Sequence, residues 1–291
     1  MMAAPKWGRP VPTLRLLSQN AQILPTLCDA EDLARATALA RFIREATPQF
    51  DVVGMQEVFD EDVRERLVEE LPHPHLVAKS DDGDWFNEDS GLFFASQFAI
   101  DSHVFAEFDQ KAYTDALADK GIFGARLDTT AALGVTLCVF HTHLQAAYEA
   151  PHQYASIRAG QLDQVLEAIA AIVAPFAGET AVLLFGDLNV EGDSPEYFDM
   201  LSRLGHPRDL YREAHPVARG FTVDGHVNGR VDDGQQRRLD YVFAFDQLAL
   251  PGEPPRTLRR IEVDRIRIAK LQHDGAYLSD HFGLDAKLRI E

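Results

Sequence analysis

Two strand-length apolar runs in this chain lie against polar clusters, and that pattern limits what it can fold into. Ala181-Val182-Leu183-Leu184-Phe185 runs into Gly186-Asp187-Leu188-Asn189. Ser279-Asp280-His281 is followed by the alternating run from Phe282 to Leu288. Carboxylate, amide and imidazole groups fixed at strand ends form a reactive set. The carboxylates suit a hard divalent cation, the amide suits an anionic oxygen, and the imidazole can move a proton. Metal-assisted cleavage of a phosphate ester is the chemistry such a set serves.

Strand and helix patterns fill the 291 residues with no clear linker, repeat or low-complexity segment. Leu14 to Ser18 reads as a short strand ending at Gln19-Asn20. Ala30 to Glu45 reads as a helix, with Leu33, Leu39, Phe42 and Ile43 on one side. Asp51 to Gln56 is a buried strand ending at Glu57, and a charged helix follows from about Glu61 to Glu70. Gly91 to Ser96, Ala99 to Glu107, Ile122 to Asp128 and Val135 to Phe140 read as strands. A long helix from about His152 to Ala174 is stopped by Pro175. Further strands are expected around Val182, from Leu239 to Phe245, and near the C-terminus, with a helix starting near Pro195. Runs of adjacent strands exclude a simple doubly wound fold. The pattern predicts an α/β (α+β) four-layer sandwich: two packed mixed β-sheets flanked by helices, in one domain over 1–291. Residues 1–12 form a short N-terminal extension, and Gly205 to Arg238 is long enough for a functional loop.

Forty-six acidic residues against 28 basic give a formal charge of −18. Such a surface repels phosphate backbones and anionic membranes, so nucleic acid is not an expected partner. Glu57 to Asp89 is especially acidic, opposed only by Arg64, Arg66 and Lys79. No run approaches the ~20 apolar residues of a membrane span, and the N-terminus has no secretory h-region. The expectation is a cytoplasmic monomer, or a secreted one if a signal was removed, with peripheral membrane contact at most. Cys28 and Cys138 make no disulfide framework, and Cys138 reads as a buried small hydrophobe.

Other polar residues stand at strand ends. Alone, Asn20 reads as a turn residue. Glu57 closes a buried strand, where a carboxylate is costly unless paired or metal-bound. His141 and His143 in His141-Thr142-His143-Leu144-Gln145 share a face at spacing i, i+2. For either alone, a hydrogen-bonded core histidine is the simpler reading, whereas the pair points to a site. Asp240 sits inside the apolar run Leu239 to Phe243 and needs a partner. His281 is the natural one, because an Asp–His pair fixes the tautomer and raises imidazole basicity.

In order and identity, these motifs resemble the endonuclease/exonuclease/phosphatase superfamily from Asn20 to His281, which implies a DNase I-like fold. By that resemblance Glu57 is the main metal ligand, Asn20 shares the metal-phosphate centre, and Asp280 flanks the metal. Asp187 and Asn189 would position the attacking water and a phosphate oxygen, and His281, supported by Asp240, would be the general base. His143 would bind a phosphate oxygen, and either it or a metal-bound water would protonate the leaving group. Mg²⁺ is the implied cofactor, with Mn²⁺ as a substitute.

Within the superfamily the chain is most similar to neutral, bacterial-type sphingomyelinases. Gln56-Glu57-Val58-Phe59-Asp60 and Thr142-His143-Leu144-Gln145-Ala146 match that branch, as do Arg158 and Gln161 in the following helix. Asp115 to Gly121 resembles a D-x4-KG segment whose Asp115 and Lys120 form a switch at the active site. Residue type alone makes Lys120 a solvated turn lysine. Glu88-Asp89 resembles an acidic pair holding a second, edge cation such as Ca²⁺. Two family features are not matched in the sequence: an aromatic hairpin before the SDH motif, where Asp246 to Asp274 has no Trp, Phe or Tyr and offers Leu248, Leu250 and Leu258 among charges, and C-terminal membrane spans. The resemblance implies an Mg²⁺-dependent phosphoric diester hydrolase acting on a phospholipid or sphingolipid and releasing phosphocholine. The alternatives are a DNase- or apurinic-endonuclease-like nuclease, a soluble phosphoesterase, and a catalytically silent binding module.

Overall fold

A computed structural model describes residues 12–24, 30–77, 90–231, 234–250 and 254–291. Glu88 and Asp89, the expected edge-cation pair, lie outside the described residues.

In chain order the strands of the two main sheets are β1 (Thr13–Ile23), β2 (Val52–Val58), β3 (His75–Val77), β4 (Phe93–Ser96), β5 (Ile100–Glu107) and β6 (Gly121–Leu127). They continue as β7 (Thr136–His143), β8 (Thr180–Asp187), β9 (Arg208–Asp209), β10 (Asp240–Phe245), β11 (Ile261–Ala269) and β12 (Gly283–Ile290). The longer helices are α1 (Ala30–Glu45), α2 (Glu61–Glu70), α3 (Ala155–Val173) and α4 (Pro195–Arg203). One sheet runs β11-β12-β1-β2-β4-β3 and the other β5-β6-β7-β8-β10-β9. Each has one parallel pair at its centre, β1/β2 and β7/β8, with antiparallel neighbours on both sides. The expected sandwich of two mixed sheets is therefore present.

Period-two alternation sorts the side chains into layers. Leu14, Leu16 and Val52 from one sheet meet Leu137, Val139, Leu183 and Phe185 from the other in a core between the sheets. Leu17, Val53 and Met55 point outward beneath Leu39 and Ile43 of α1. Cys138, Phe140, Val182 and Leu184 point the other way, beneath Leu162, Val165 and Ile169 of α3. Truncating a central leucine such as Leu183 to alanine should cost about 2–5 kcal/mol. Asp60 caps α2 by accepting from the Val63 N–H at 3.1 Å, and Ser194 caps α4 ahead of Pro195.

Several boundaries depart from the sequence reading. β1 runs on to Ile23, so Asn20 lies inside the strand and not after it; a register shift between Asn20 and Ile23 lets β1 keep pairing with β2. α3 begins at Ala155, three residues after His152. Leu248, Leu250 and Leu258 are 4–7% exposed and pack into the core beneath α3, so they offer nothing to a lipid surface. Among the described residues no helix is long and apolar enough to cross a membrane.

Candidate functional site

The faces that build the core between the sheets also build the site. On β1 the inward series Leu14, Leu16, Ser18 continues to Asn20; on β7 Leu137 and Val139 continue to His141 and His143. On β8 Leu183 and Phe185 lead to Asp187, and on β10 the inward parity of Val242 and Ala244 starts at Asp240. At one end of the sandwich, apolar side chains thus give way to polar ones of the same parity. Glu57 is the exception. Alternation would turn it outward with Met55, but a left-handed φ of 55° brings its carboxylate back toward Asn20. Gly186, at φ 139°, lets β8 approach so closely that a Cβ would stand 2.0 Å from the Thr142 carbonyl oxygen. That approach places Asp187 opposite His143 in the ladder.

The Asn20 amide donates to Glu57 Oε1 at 2.8 Å and to Asp187 Oδ2 at 3.0 Å, and its Oδ1 accepts from the Gln22 N–H. Asn20 therefore ties the two carboxylates together, and its Oδ1, which accepts one hydrogen bond, keeps a lone pair for a cation. His143 Nε2 stands 3.7 Å from Glu57 Oε1 and 3.6 Å from Asp187 Oδ2. Glu57, His143 and Asp187 each offer a donor atom to one space, all within 4.8 Å of one another. Burial raises the pKa of both carboxyls, Glu57 further through the charge of Asp280, and Asp187 to about 7 against the opposing pull of His281. Two buried, mutually repelling carboxylates fit a hard divalent cation, whose charge would offset that cost. The Asp280 carboxylate accepts from Ser279 Oγ at 3.2 Å, its charge acts on Glu57, and it stands outside the two three-residue donor clusters among the described residues.

His281 approaches the same Asp187 oxygen, with Nε2 3.8 Å from Oδ2, and its Nδ1 stands 2.8 Å from Asp240 Oδ2. The expected Asp240–His281 pair is formed. Burial alone would depress the imidazole pKa, yet Asp240 and Asp187 together push it well above its usual value. His143 moves well below its usual value through burial, reinforced by the charges of Lys120 and His281. Asn189, in a left-handed backbone at φ 51°, donates its N–H to Asp187 Oδ1 at 2.9 Å and its amide to the Leu144 carbonyl at 3.0 Å.

Lys120 is not a solvated turn lysine. It is 3% exposed, with Nζ 2.9 Å from Asp115 Oδ2, 3.2 Å from His143 Nε2 and 3.4 Å from the Leu144 carbonyl. Asp115 in turn accepts from the Ala146 N–H and the Tyr148 hydroxyl. The sequence partners hold this arrangement: Gln145 exchanges two bonds with Ala112, Gln161 accepts from the Gln145 N–H, and Arg158 pairs with Glu196 while donating to the Gln145 carbonyl. His141 has a different part. Its Nε2 is 2.5 Å from Gln56 Nε2, its ring stacks on Phe185, and burial lowers its pKa to about 3. It is a core histidine.

Three positioning residues escaped the sequence reading. Asn228, in the Gly205 to Arg238 loop, donates to the Ser279 and Asp280 carbonyls at 2.9 and 3.2 Å. Thr222 in the same loop accepts from the Leu239 and Asp240 N–H groups. Arg35 of α1 joins the Ala21 and Leu278 carbonyls. All three act on backbone, which leaves no pairing pattern to read; only the length of the loop hinted at Asn228 and Thr222.

The sandwich, with a metal-capable carboxylate pair and an Asp–His dyad across its central strand ends, defines a hydrolase of the phosphoesterase type. The chain belongs to the endonuclease/exonuclease/phosphatase family, whose pattern it matches over residues 19–281. It is 26% identical over 264 residues to Sphingomyelinase C 2 of Leptospira interrogans, covering 82% of this chain but only 40% of that protein. The structure is similar to Sphingomyelinase C from Streptomyces griseocarneus, with a TM-score of 0.71 at 23% identity over 95% of this chain and 99% of the other. It is also similar to D. rerio TDP2 complexed with a single-strand DNA product, with a TM-score of 0.70 at 20% identity over the same shares. The fold is thus common to both kinds of protein.

Proposed function

We propose that this chain is a Mg²⁺-dependent phosphoric diester hydrolase of the sphingomyelinase-like, phospholipase C type, releasing phosphocholine or a related head group from a lipid. The observation that carries this reading is Asp187, set between a dyad that can take a proton and a buried Lys120–His143 pair that can meet an anion. A divalent cation held by Glu57 and Asp187 would polarise a phosphoryl oxygen, and its charge would lower the His281 pKa into the range of a working base. His281, oriented by Asp240, takes a proton at Nε2 from a water that Asp187 positions for in-line attack. The second Asn189 amide hydrogen and Lys120 Nζ face the phosphoryl oxygens. His143, held neutral, accepts from Lys120 at Nε2 and so has no proton there to give. The departing alkoxide takes its proton from Lys120 Nζ.

The nuclease reading draws on the shared fold with a DNA-bound protein. Against it stands the −18 charge, since duplex DNA carries one charge per ~1.7 Å and a zwitterionic head group does not. Two assays at equal enzyme concentration decide: phosphocholine release from detergent-dispersed sphingomyelin, and nicking of supercoiled plasmid. Release without nicking is expected. Nicking without release would transfer the assignment to the nuclease.

A further inference from the structure

We infer that the cavity beside Lys120 and His143 seats the leaving alcohol and is built for an apolar one. This rests on the hydrolase reading and adds the side of the site on which the lipid lies. The cavity has a volume of about 480 Å³, within the range of small-molecule sites. Glu57, Lys120 and His143 reach it from the reaction centre, while Leu24, Phe59, Leu117 and Tyr148 form its apolar wall. His281 and Asp240 are not among its lining residues. Both imidazoles approach Asp187 Oδ2, but only His143 lines the cavity, so a water activated at His281 would attack from the side away from it. In-line displacement then sends the leaving oxygen toward Lys120 and the cavity mouth.

The mouth is apolar in a way the rest of the surface is not. Eight large apolar side chains are prominently exposed among the described residues, and Leu24, Leu117 and Tyr148 of these line the cavity. A fourth, Tyr113, is 67% exposed and packs on the Tyr148 ring at 4.8 Å. Single exposed apolar residues are ordinary, whereas several gathered around one concave opening mark a binding surface. Tyr113 also holds a left-handed backbone, φ 55°, which bulky residues rarely adopt. Lys120 is the one Lys or Arg among the lining residues, and in the proposed reaction it serves the reacting phosphate. A continuing polyanion finds no partner there; a hydrocarbon chain does.

The test is calorimetric binding of butyl, hexyl and octyl phosphate, below their micelle concentrations, to the Mg²⁺-loaded full chain. Alongside it runs turnover of p-nitrophenyl phosphocholine, whose small leaving group reaches little of the wall. Affinity should rise by about threefold per added methylene in the wild type. The rise should flatten in Leu117→Ser and in Tyr113→Ser, both changes of exposed side chains, in protein whose circular dichroism is unchanged. Affinity independent of chain length, or an undiminished rise in both variants, overturns the proposal. If chain-length dependence persists but p-nitrophenyl phosphocholine is not hydrolysed, the hydrolase reading fails and the apolar seat stands.

Discussion

His143 and His281 both approach one carboxylate oxygen, at 3.6 and 3.8 Å from Asp187 Oδ2, and both are almost fully buried. Their protonation is nonetheless driven in opposite directions. Around His143, burial and the neighbouring Lys120 ammonium both disfavour a charged ring. Around His281, burial is outweighed by Asp240 and Asp187. The residue type and its depth are the same; the second neighbour decides the chemistry. One imidazole is a neutral acceptor next to a cation, and the other is a proton carrier next to carboxylates.

The comparison breaks first with the metal. Both halves share Asp187, which with Glu57 would hold the cation, so chelation with EDTA should lower turnover by about 10³-fold or more, and Mg²⁺ or Mn²⁺ should restore it. Full turnover in rigorously stripped protein would remove the shared centre from the mechanism. Next come the halves themselves. His281→Ala and Asp240→Asn should each reduce kcat by roughly 10²- to 10⁴-fold in protein whose circular dichroism is unchanged. Lys120→Ala should cost about 10- to 10²-fold. Equal losses with identical pH profiles on the two sides would mean that the asymmetry carries no catalytic meaning.

The smallest effects concern stability, and they have opposite signs with pH. Asp187 has its pKa raised in the folded state to about 7, so folding carries a cost that grows as pH rises from the unfolded value near 4 toward 7. Asp187→Asn should therefore raise the Tm of metal-free protein at pH 8 by several degrees, with the gain vanishing near pH 4. His141 has its pKa lowered to about 3, so the unfolded chain takes up a proton below pH 6.5 that the folded chain refuses. At pH 5 this costs about 2 kcal/mol, and His141→Gln should flatten the acid limb of the Tm profile by a matching amount. A Tm gain for Asp187→Asn that does not change with pH would point to packing rather than charge.

The sandwich was legible because its strands are apolar and alternate strictly, and the site was legible where that alternation ends in a carboxylate, amide or imidazole. Asp187, Asp240 and His143 announce themselves at the ends of buried strands that have no other use for them, and His281 does so just ahead of one. Asn20 was placed too late because a bulge lets β1 pair beyond it. The burial of Lys120 could not be read from residue type, because it depends on Asp115, held five residues earlier on a short 3-10 turn by the Ala146 N–H and the Tyr148 hydroxyl. Asn228, Thr222 and Arg35 were invisible for a simpler reason: any backbone carbonyl or N–H is an adequate partner, so sequence carries no trace of which one is chosen.

The pairing of β1 with β12 has a consequence for how the molecule is made. Thr13 lies beside Arg289 in that ladder, so β1 waits for a partner strand synthesised long after it. Until Gly283 to Ile290 leaves the ribosome, β1 is an open edge with the sequence LRLLSQNAQI, and β11 has no neighbour on that side. Such a nascent chain would already hold Asn20, Glu57, His143 and Asp187 but not His281. It would be inert and, with an apolar edge unpaired, prone to self-association. Insertion of β12 closes the edge and completes the dyad in the same event, so competence for catalysis and protection from aggregation arrive together.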